Sequence, residues 1–251
     1  MSVNSNNTKN QTNPITDKSA LCASGDSFMS KNEYRLAVKE YLLSLMIDKN
    51  NIQAQIGASK AYKYLKEYDK AIKHLKNARN IYGFNSEIYY ELGLNYLLNS
   101  DSKNAQKNFI RTIKLKPDNT NAQIKLALTH ELSGEEDMAI MVYKAVIDKN
   151  PDFIPAMSAL ANLYIEHDEF ELAIELYNKI LKINREYYRA YLGLGLCFDK
   201  LEKYTLAIRN YKKYISFKPH SQTAKSLVGR IFEIHKLRMG KNKDRADLKL
   251  V

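Results

Sequence analysis

The sequence predicts an all-α solenoid built on a 34-residue helical repeat, and three observations carry that prediction. Ala37, Ala71, Ala105, Ala139, Ala173 and Ala207 are spaced 34 residues apart with no insertion or deletion. A period held this strictly means that each unit packs on its neighbours in one frame, because a slip would misplace every later interface. Two further kinds of column, one small and one aromatic, follow the same period. Finally, apolar residues recur three and four apart, as in Ala71, Ile72, Leu75 and Ala78, and the 251 residues include only 9 Gly and 5 Pro. Helical periodicity with sparse turn punctuation leaves no room for strands.

With each alanine at position 20, the units are 18–51, 52–85, 86–119, 120–153, 154–187 and 188–221. The first carries Gly25 and Phe28 at positions 8 and 11, then Ala37 and Tyr41 at 20 and 24. The second has Ser59, Tyr62, Ala71 and Leu75 in the same places. In the third they are Gly93, Tyr96, Ala105 and Phe109, and Pro117 closes the unit. Ala127, His130, Ala139 and Tyr143 follow in the fourth, closed by Pro151. The fifth has Ala161, Tyr164, Ala173 and Tyr177, and the sixth Gly195, Phe198, Ala207 and Tyr211 before Pro219. Small residues at 8 and 20 let two helices cross closely, and the rings fill the space beside the crossing.

This small, aromatic, alanine, aromatic, proline order resembles the tetratricopeptide repeat (TPR) family, from Lys18 to Ser221. The resemblance implies a right-handed α-solenoid of six helix pairs whose first helices line a concave groove, with positions 2, 5, 6, 9, 12 and 13 facing a ligand. There are departures. Lys49, Gly83 and Arg185 replace the closing proline, and position 4, where the family favours tryptophan, holds Leu21, Gln55, Tyr89, Gln123, Met157 and Tyr191. The interfaces around the two glutamines are expected to be softer. His130, in an aromatic column, is read as a packed imidazole with a hydrogen-bond partner, since no second metal ligand lies at helical spacing from it.

The ends differ from the repeats. Residues 1–17, rich in Asn, Ser and Thr, are expected to form a disordered polar arm. Residues 222–239 place Val228, Gly229 and Phe232 at positions 7, 8 and 11 of what would be a seventh first helix. No alanine follows at position 20, so the segment is expected to cap the last repeat, with Lys225, Arg230, Lys236 and Arg238 facing outward. Residues 240–251 form a basic tail expected to fray.

On the groove positions implied by the resemblance, Lys60, Tyr64, Tyr90, Leu94, Lys125, Leu128, Asn162 and Arg189 are the candidate partner-binding residues. Leu97, Leu98, Ile124 and Leu132 extend an apolar floor between polar margins, an arrangement suited to a helix or peptide. Units four and five hold 6 Lys plus Arg against 12 Asp plus Glu, so the net charge of +11 is unevenly spread. The acids gather at turns, as Glu131, Glu135, Glu136 and Asp137, then Glu166, Asp168, Glu169 and Glu171, where capping and solubility account for them; a ridge for a basic partner is the alternative. Lys70, Lys73, Lys76, Arg79 and Lys103, Lys107, Arg111, Lys114 fall on second helices, away from any stacked aromatics of a strand-binding groove, which argues against nucleic acid.

His74, His130, His167, His220 and His235 lack the spacing of a helical metal site; single scattered glycines make no phosphate loop, and no nucleophile elbow is present. No metal, cofactor or enzymatic activity is expected. No apolar run reaches the roughly 20 residues of a membrane span, and the N-terminus lacks a secretion signal, so a cytoplasmic location is expected. Cys22 and Cys197, in the first and last units, are too far apart in sequence frame to pair and fit a reducing compartment. The lysines and asparagines of the family's chaperone-binding carboxylate clamp are absent from the opening pairs Cys22 and Asp26, Ile56 and Lys60, Tyr90 and Leu94, and Ile124 and Leu128. The reading is a non-catalytic adaptor that binds a peptide or helix of another protein. A substrate-selecting partner of an enzyme is the alternative, ahead of a nucleic-acid-binding repeat.

Overall fold

A computed structural model describes residues 17–247, with side chains described through 237. Residues 1–16 of the expected arm and 248–251 of the expected tail lie outside the described residues. Thirteen helices and no strand are present among the described residues. The first helices of the repeats are α1 (Lys18–Ser30), α3 (Ile52–Tyr64), α5 (Ser86–Leu98), α7 (Thr120–Leu132), α9 (Ile154–Glu166) and α11 (Tyr188–Lys200). The second helices are α2 (Tyr34–Ile47), α4 (Tyr68–Tyr82), α6 (Ser102–Leu115), α8 (Glu136–Lys149), α10 (Phe170–Ile183) and α12 (Tyr204–Phe217). Each first helix thus starts 34 residues after the last, on the alanine frame.

The chain divides into two compact units, 1–139 and 140–251, with the division inside α8. In the first, α1 to α7 pack each on the next, and α1 also meets α3 as α5 meets α7. In the second, α9 to α12 pack in the same manner, α9 meets α11, and α13 (Gln222–Asp247) packs on α12. The last helix continues eight residues beyond the expected stop at 239. Gly240 costs a helix about 1 kcal/mol relative to alanine, and the Lys, Arg, Ala and Asp that follow can carry it on.

The repeat columns meet as pairs. All six position-20 alanines have no exposed surface, and Tyr41, Phe109, Tyr143, Tyr177 and Tyr211 of position 24 are among the largest fully buried side chains. Four of these rings, all but Tyr143, lie directly against a glycine. A Cβ on Gly25 would stand 2.7 Å from the Tyr41 ring, one on Gly93 2.6 Å from Phe109, and one on Gly195 2.4 Å from Tyr211. The next repeat closes from the other side: Cβ atoms on Gly57 and Gly193, both at position 6, would lie 2.4 Å from Tyr41 and 2.3 Å from Tyr177. Position 6 is therefore part of the contact between successive repeats, a role invisible within one unit.

The turn between paired helices repeats as faithfully. Asn32, Lys66, Ser100, Gly134, Asp168 and Glu202, all at position 15, have positive φ between 56° and 73°. The next amide donates five residues back, as Glu33 N–H to the Phe28 carbonyl and Glu135 N–H to that of His130 (both 2.9 Å). The positive-φ residue donates three back, as Asn32 to Met29 (3.1 Å), so every first helix ends in a Schellman motif. Position 34 begins the next helix: Asn51, Asn85 and Asn119 accept backbone N–H bonds from Ala54, Ile88 and Ala122.

Position 4 is a further column. Gln55 and Gln123 donate through Nε2 to the carbonyls of Lys49 (3.1 Å) and Pro117 (2.8 Å), and the Tyr191 hydroxyl donates to that of Arg185 (3.0 Å). Each bond reaches back six residues, so the polar tip at position 4 ties the preceding turn. Gln55 also meets His74 Nδ1 through Oε1 at 2.7 Å, beneath an open crevice of about 710 Å³ lined by Leu42, Leu45, Met46 and Ile81.

Candidate interaction face

First helices project positions 5, 9 and 12 along one face, and in the first, fifth and sixth repeats the position-24 hydroxyl bonds to it, Tyr211 donating to Asp199 Oδ2 at position 12 (3.1 Å). The Tyr41 hydroxyl donates to Asp26 Oδ1 and that of Tyr177 to Asn162 Oδ1, each at 2.5 Å. Asp26 and Asn162 both occupy position 9. Where position 24 is Phe109 or Leu75, which have nothing to donate, position 9 is Leu94 or Lys60. The tyrosines, buried under the first helices and in Tyr41 also beside Asp26, have pKa values held well above the usual phenol range. They remain hydroxyl donors at any physiological pH.

In the first unit, Lys60 lines a depression of about 280 Å³ with Asp26, Met29, Tyr41, Gln53 and Ile56. Its ammonium lies 4.0 Å from Glu87 of the next first helix, and Lys63 makes a closer, largely buried pair with Glu91 at 2.7 Å. Tyr64 is 58% exposed and stacks on Tyr34, with ring centroids 4.6 Å apart and 5° between planes, so it belongs to the rim beside the α1–α2 turn. Tyr90 tilts onto Phe109 at 6.0 Å. Tyr90 and Leu94 on α5, and Lys125 and Leu128 on α7, are half-buried. Leu98 and Leu132, at the ends of the same two helices, are 50% and 62% exposed. The result is an apolar strip on two helices that meet each other, half-buried along its length and open to solvent at its ends.

In the second unit, Asn162 and Arg189 come together in a depression of about 400 Å³ with Ser158, Tyr177, Leu192 and Leu196. Tyr188 and Tyr214 complete its wall, their rings 5.9 Å apart. Sequence reasoning placed Asn162 and Arg189 there but missed these tyrosines, which it assigned to packing or left unread. The co-occurrence of tyrosine at 24 with Asp or Asn at 9 was the available signal for the hydroxyls.

The acidic turns have local employment. Glu135 Oε2 is 2.5 Å from Nδ1 of the buried His130 and 3.2 Å from Gln106 Nε2, so His130 is a packed imidazole with a carboxylate partner, as its sequence setting led us to expect. Asp168 supplies a positive-φ turn residue and Glu169 precedes α10 as its cap residue. Second-helix cations are also engaged: Lys76 lies 5.8 Å from the Tyr96 ring, and Arg111 lies 4.7 Å from Phe84 and 5.9 Å from Tyr89. Arg230, expected to face outward, instead grips Asp199 with two bonds of 2.8 and 2.9 Å, and reaches Glu233 at 2.9 Å. A carboxylate at position 12 of α11 attracts the guanidinium one repeat on, pinning α13 to the last repeat.

The family model for the tetratricopeptide repeat protein 21 C-terminal ARM domain matches residues 100–229, just over half the chain. The chain belongs to the tetratricopeptide repeat family. No curated protein matches its sequence. Several solved structures share its helical-repeat fold. One is a crystal structure of MamA, 25% identical with a TM-score of 0.61, covering 70% of this chain and 95% of that one. Another is YrrB, described as a TPR protein with an unusual peptide-binding site, at 22% identity and a TM-score of 0.58, covering 70% and 90%. A third is PilW, a type IV pilus biogenesis factor, at 18% identity and a TM-score of 0.72, covering 86% and 100%. Among the described residues no helix of this TPR protein is long and apolar enough to cross a membrane. No group of three or more metal-ligating side chains occurs among them.

Proposed function

We propose that this TPR protein is a non-catalytic interaction scaffold whose first-helix face takes an extended or helical segment of another protein. The observation that carries the reading is the apolar strip of Tyr90, Leu94, Leu97, Ile124 and Leu128, half-buried at its base, with Leu98 and Leu132 open to solvent. Packing between α5 and α7 needs the base of these side chains but not their exposed ends, and exposed apolar surface beside polar groups marks a docking site. Lys60 and Lys125, both in the first unit, can orient a segment that carries acids, and the Asn162 and Arg189 depression is a separate polar candidate within the second unit. That YrrB, of the same fold, binds peptide supports the use of a TPR array in this way.

The test is capture of partners from native lysate by the full-length protein and by a Leu94→Ser, Leu128→Ser double variant, with helicity checked by circular dichroism. Removing central apolar anchors typically costs about 2 kcal/mol or more of binding, so the variant should lose the partners while remaining helical. Retention of all partners by a folded double variant contradicts the assignment.

A further inference from the structure

The repeats establish how a first helix with glycine at position 8 is covered. In α1, α5 and α11 an aromatic ring from the following helix lies over that glycine, as Tyr41 over Gly25, Phe109 over Gly93 and Tyr211 over Gly195. The helix α13 has matching residue types in register, with Val228 at 7, Gly229 at 8 and Phe232 at 11. One face of α13, through Ala224, Leu227 and Ile234, is buried, the last two in a cluster with Ile208, Tyr211 and Tyr214 of α12. Among the described residues nothing covers the other face. A Cβ on Gly229 would meet nothing within 4 Å, and Val228 and Phe232 are 58% and 73% exposed. Their counterparts in α11 are covered, Leu194 being buried and Phe198 packed against the core.

Charge describes what this face would accept. Lys225, His235 and Lys236 are exposed along α13 on either side of the apolar pair. The nearby acid, Glu233, is tied to Arg230. From residue 222 onward the sequence has eight Lys and Arg against three Asp and Glu. A basic helix would be repelled here.

We propose that the Val228, Gly229 and Phe232 face of α13 docks an acidic amphipathic helix of a partner protein. The helix would present a small residue and an aromatic ring four positions apart, as positions 20 and 24 do in this chain's own repeats. The ring seats over Gly229 beside Phe232, the small residue lets the helices approach, and carboxylates meet Lys225 and Lys236. This surface is distinct from the groove proposed above, and either can fail without the other.

The test uses the full-length protein and a labelled, stapled peptide of residues 169–183 carrying Lys179→Glu and Lys182→Glu, which keeps Ala173 and Tyr177 as the small residue and ring. Fluorescence anisotropy should show saturable binding that weakens with salt and falls about tenfold or more in Phe232→Ser and in Gly229→Leu, as expected for loss of a central aromatic contact. Leucine at 229 has open space and a better helix propensity than glycine, so its effect is not one of misfolding. The Leu94→Ser, Leu128→Ser variant should bind the peptide as the unaltered protein does. Absence of saturable binding, or unweakened binding by Gly229→Leu, overturns the proposal. So does a homodimer in light scattering that Phe232→Ser dissociates, which would give the face to a second copy, or binding to anionic vesicles but not to the peptide.

Discussion

His74 shows how one side chain can make the first unit sensitive to pH. It is largely buried, stacked on Tyr62 with ring centroids 5.5 Å apart, and its Nδ1 lies 2.7 Å from Gln55 Oε1. Because Gln55 Nε2 donates to the Lys49 carbonyl, its Oε1 faces the imidazole and the neutral ring must carry its proton on Nδ1. Burial, and then the charge of Lys73, hold the His74 pKa below the ordinary 6.5. The unfolded chain therefore takes up the proton first as pH falls. Stability associated with His74 is complete above about 6.5 and is lost as pH drops below it toward the depressed folded value. Urea unfolding should show a lower midpoint at pH 5 than at pH 7, and His74→Gln, whose amide can also donate to Gln55, should flatten that difference. An equal pH slope in the variant would assign the effect to other groups. At this scale the alanine and ring columns were plain in the sequence, because each repeats one kind of side chain. The positive-φ column was not: Asn32, Lys66, Ser100, Gly134, Asp168 and Glu202 share a backbone conformation and no chemistry. The packing role of Gly57 and Gly193 was hidden because each is explained by a ring in the preceding repeat.

Helices in this protein begin and end where the repeat frame puts them, and specific caps hold them there. Asn119 Oδ1 accepts the Ala122 N–H at 3.0 Å at the start of α7, the helix that carries Lys125 and Leu128. Replacing such a cap by alanine costs about 1 kcal/mol. Asn119→Ala should therefore lower the urea midpoint, and Asn119→Ser, which keeps an acceptor, should restore most of it; equal losses in both would mean that the side-chain bond is not what matters. Helix existence and spacing were legible because small and aromatic columns recur at helical intervals. The extent of α13 was not, since Gly240 reads locally as a stop, whereas a single glycine is a small penalty that the lysines, arginine and alanine after it can offset. The inward turn of Arg230 was equally hidden, because its partner Asp199 lies 31 residues away.

Across the molecule, two compact units each repeat the same construction: rings of second helices seated between successive first helices, leaving the first-helix face to carry variable side chains. That division of labour separates the columns that fold the protein from positions free to recognise a partner, which is why the sequence read clearly for architecture and less completely for the site. The polar pair at Asn162 and Arg189 and the strip through Leu94 and Leu128 could be placed by register alone, whereas the wall around the pair depends on how deeply the Tyr177 ring penetrates and on Tyr188 and Tyr214, which lie outside the repeat columns. The central claim, that the first-helix face is the binding surface, is most directly tested by amide hydrogen exchange on the captured complex. The account predicts slowed exchange in 86–98 and 120–132, with 68–82 and 102–115 unchanged. Protection confined to those second helices, with 86–98 and 120–132 unaffected, would contradict it.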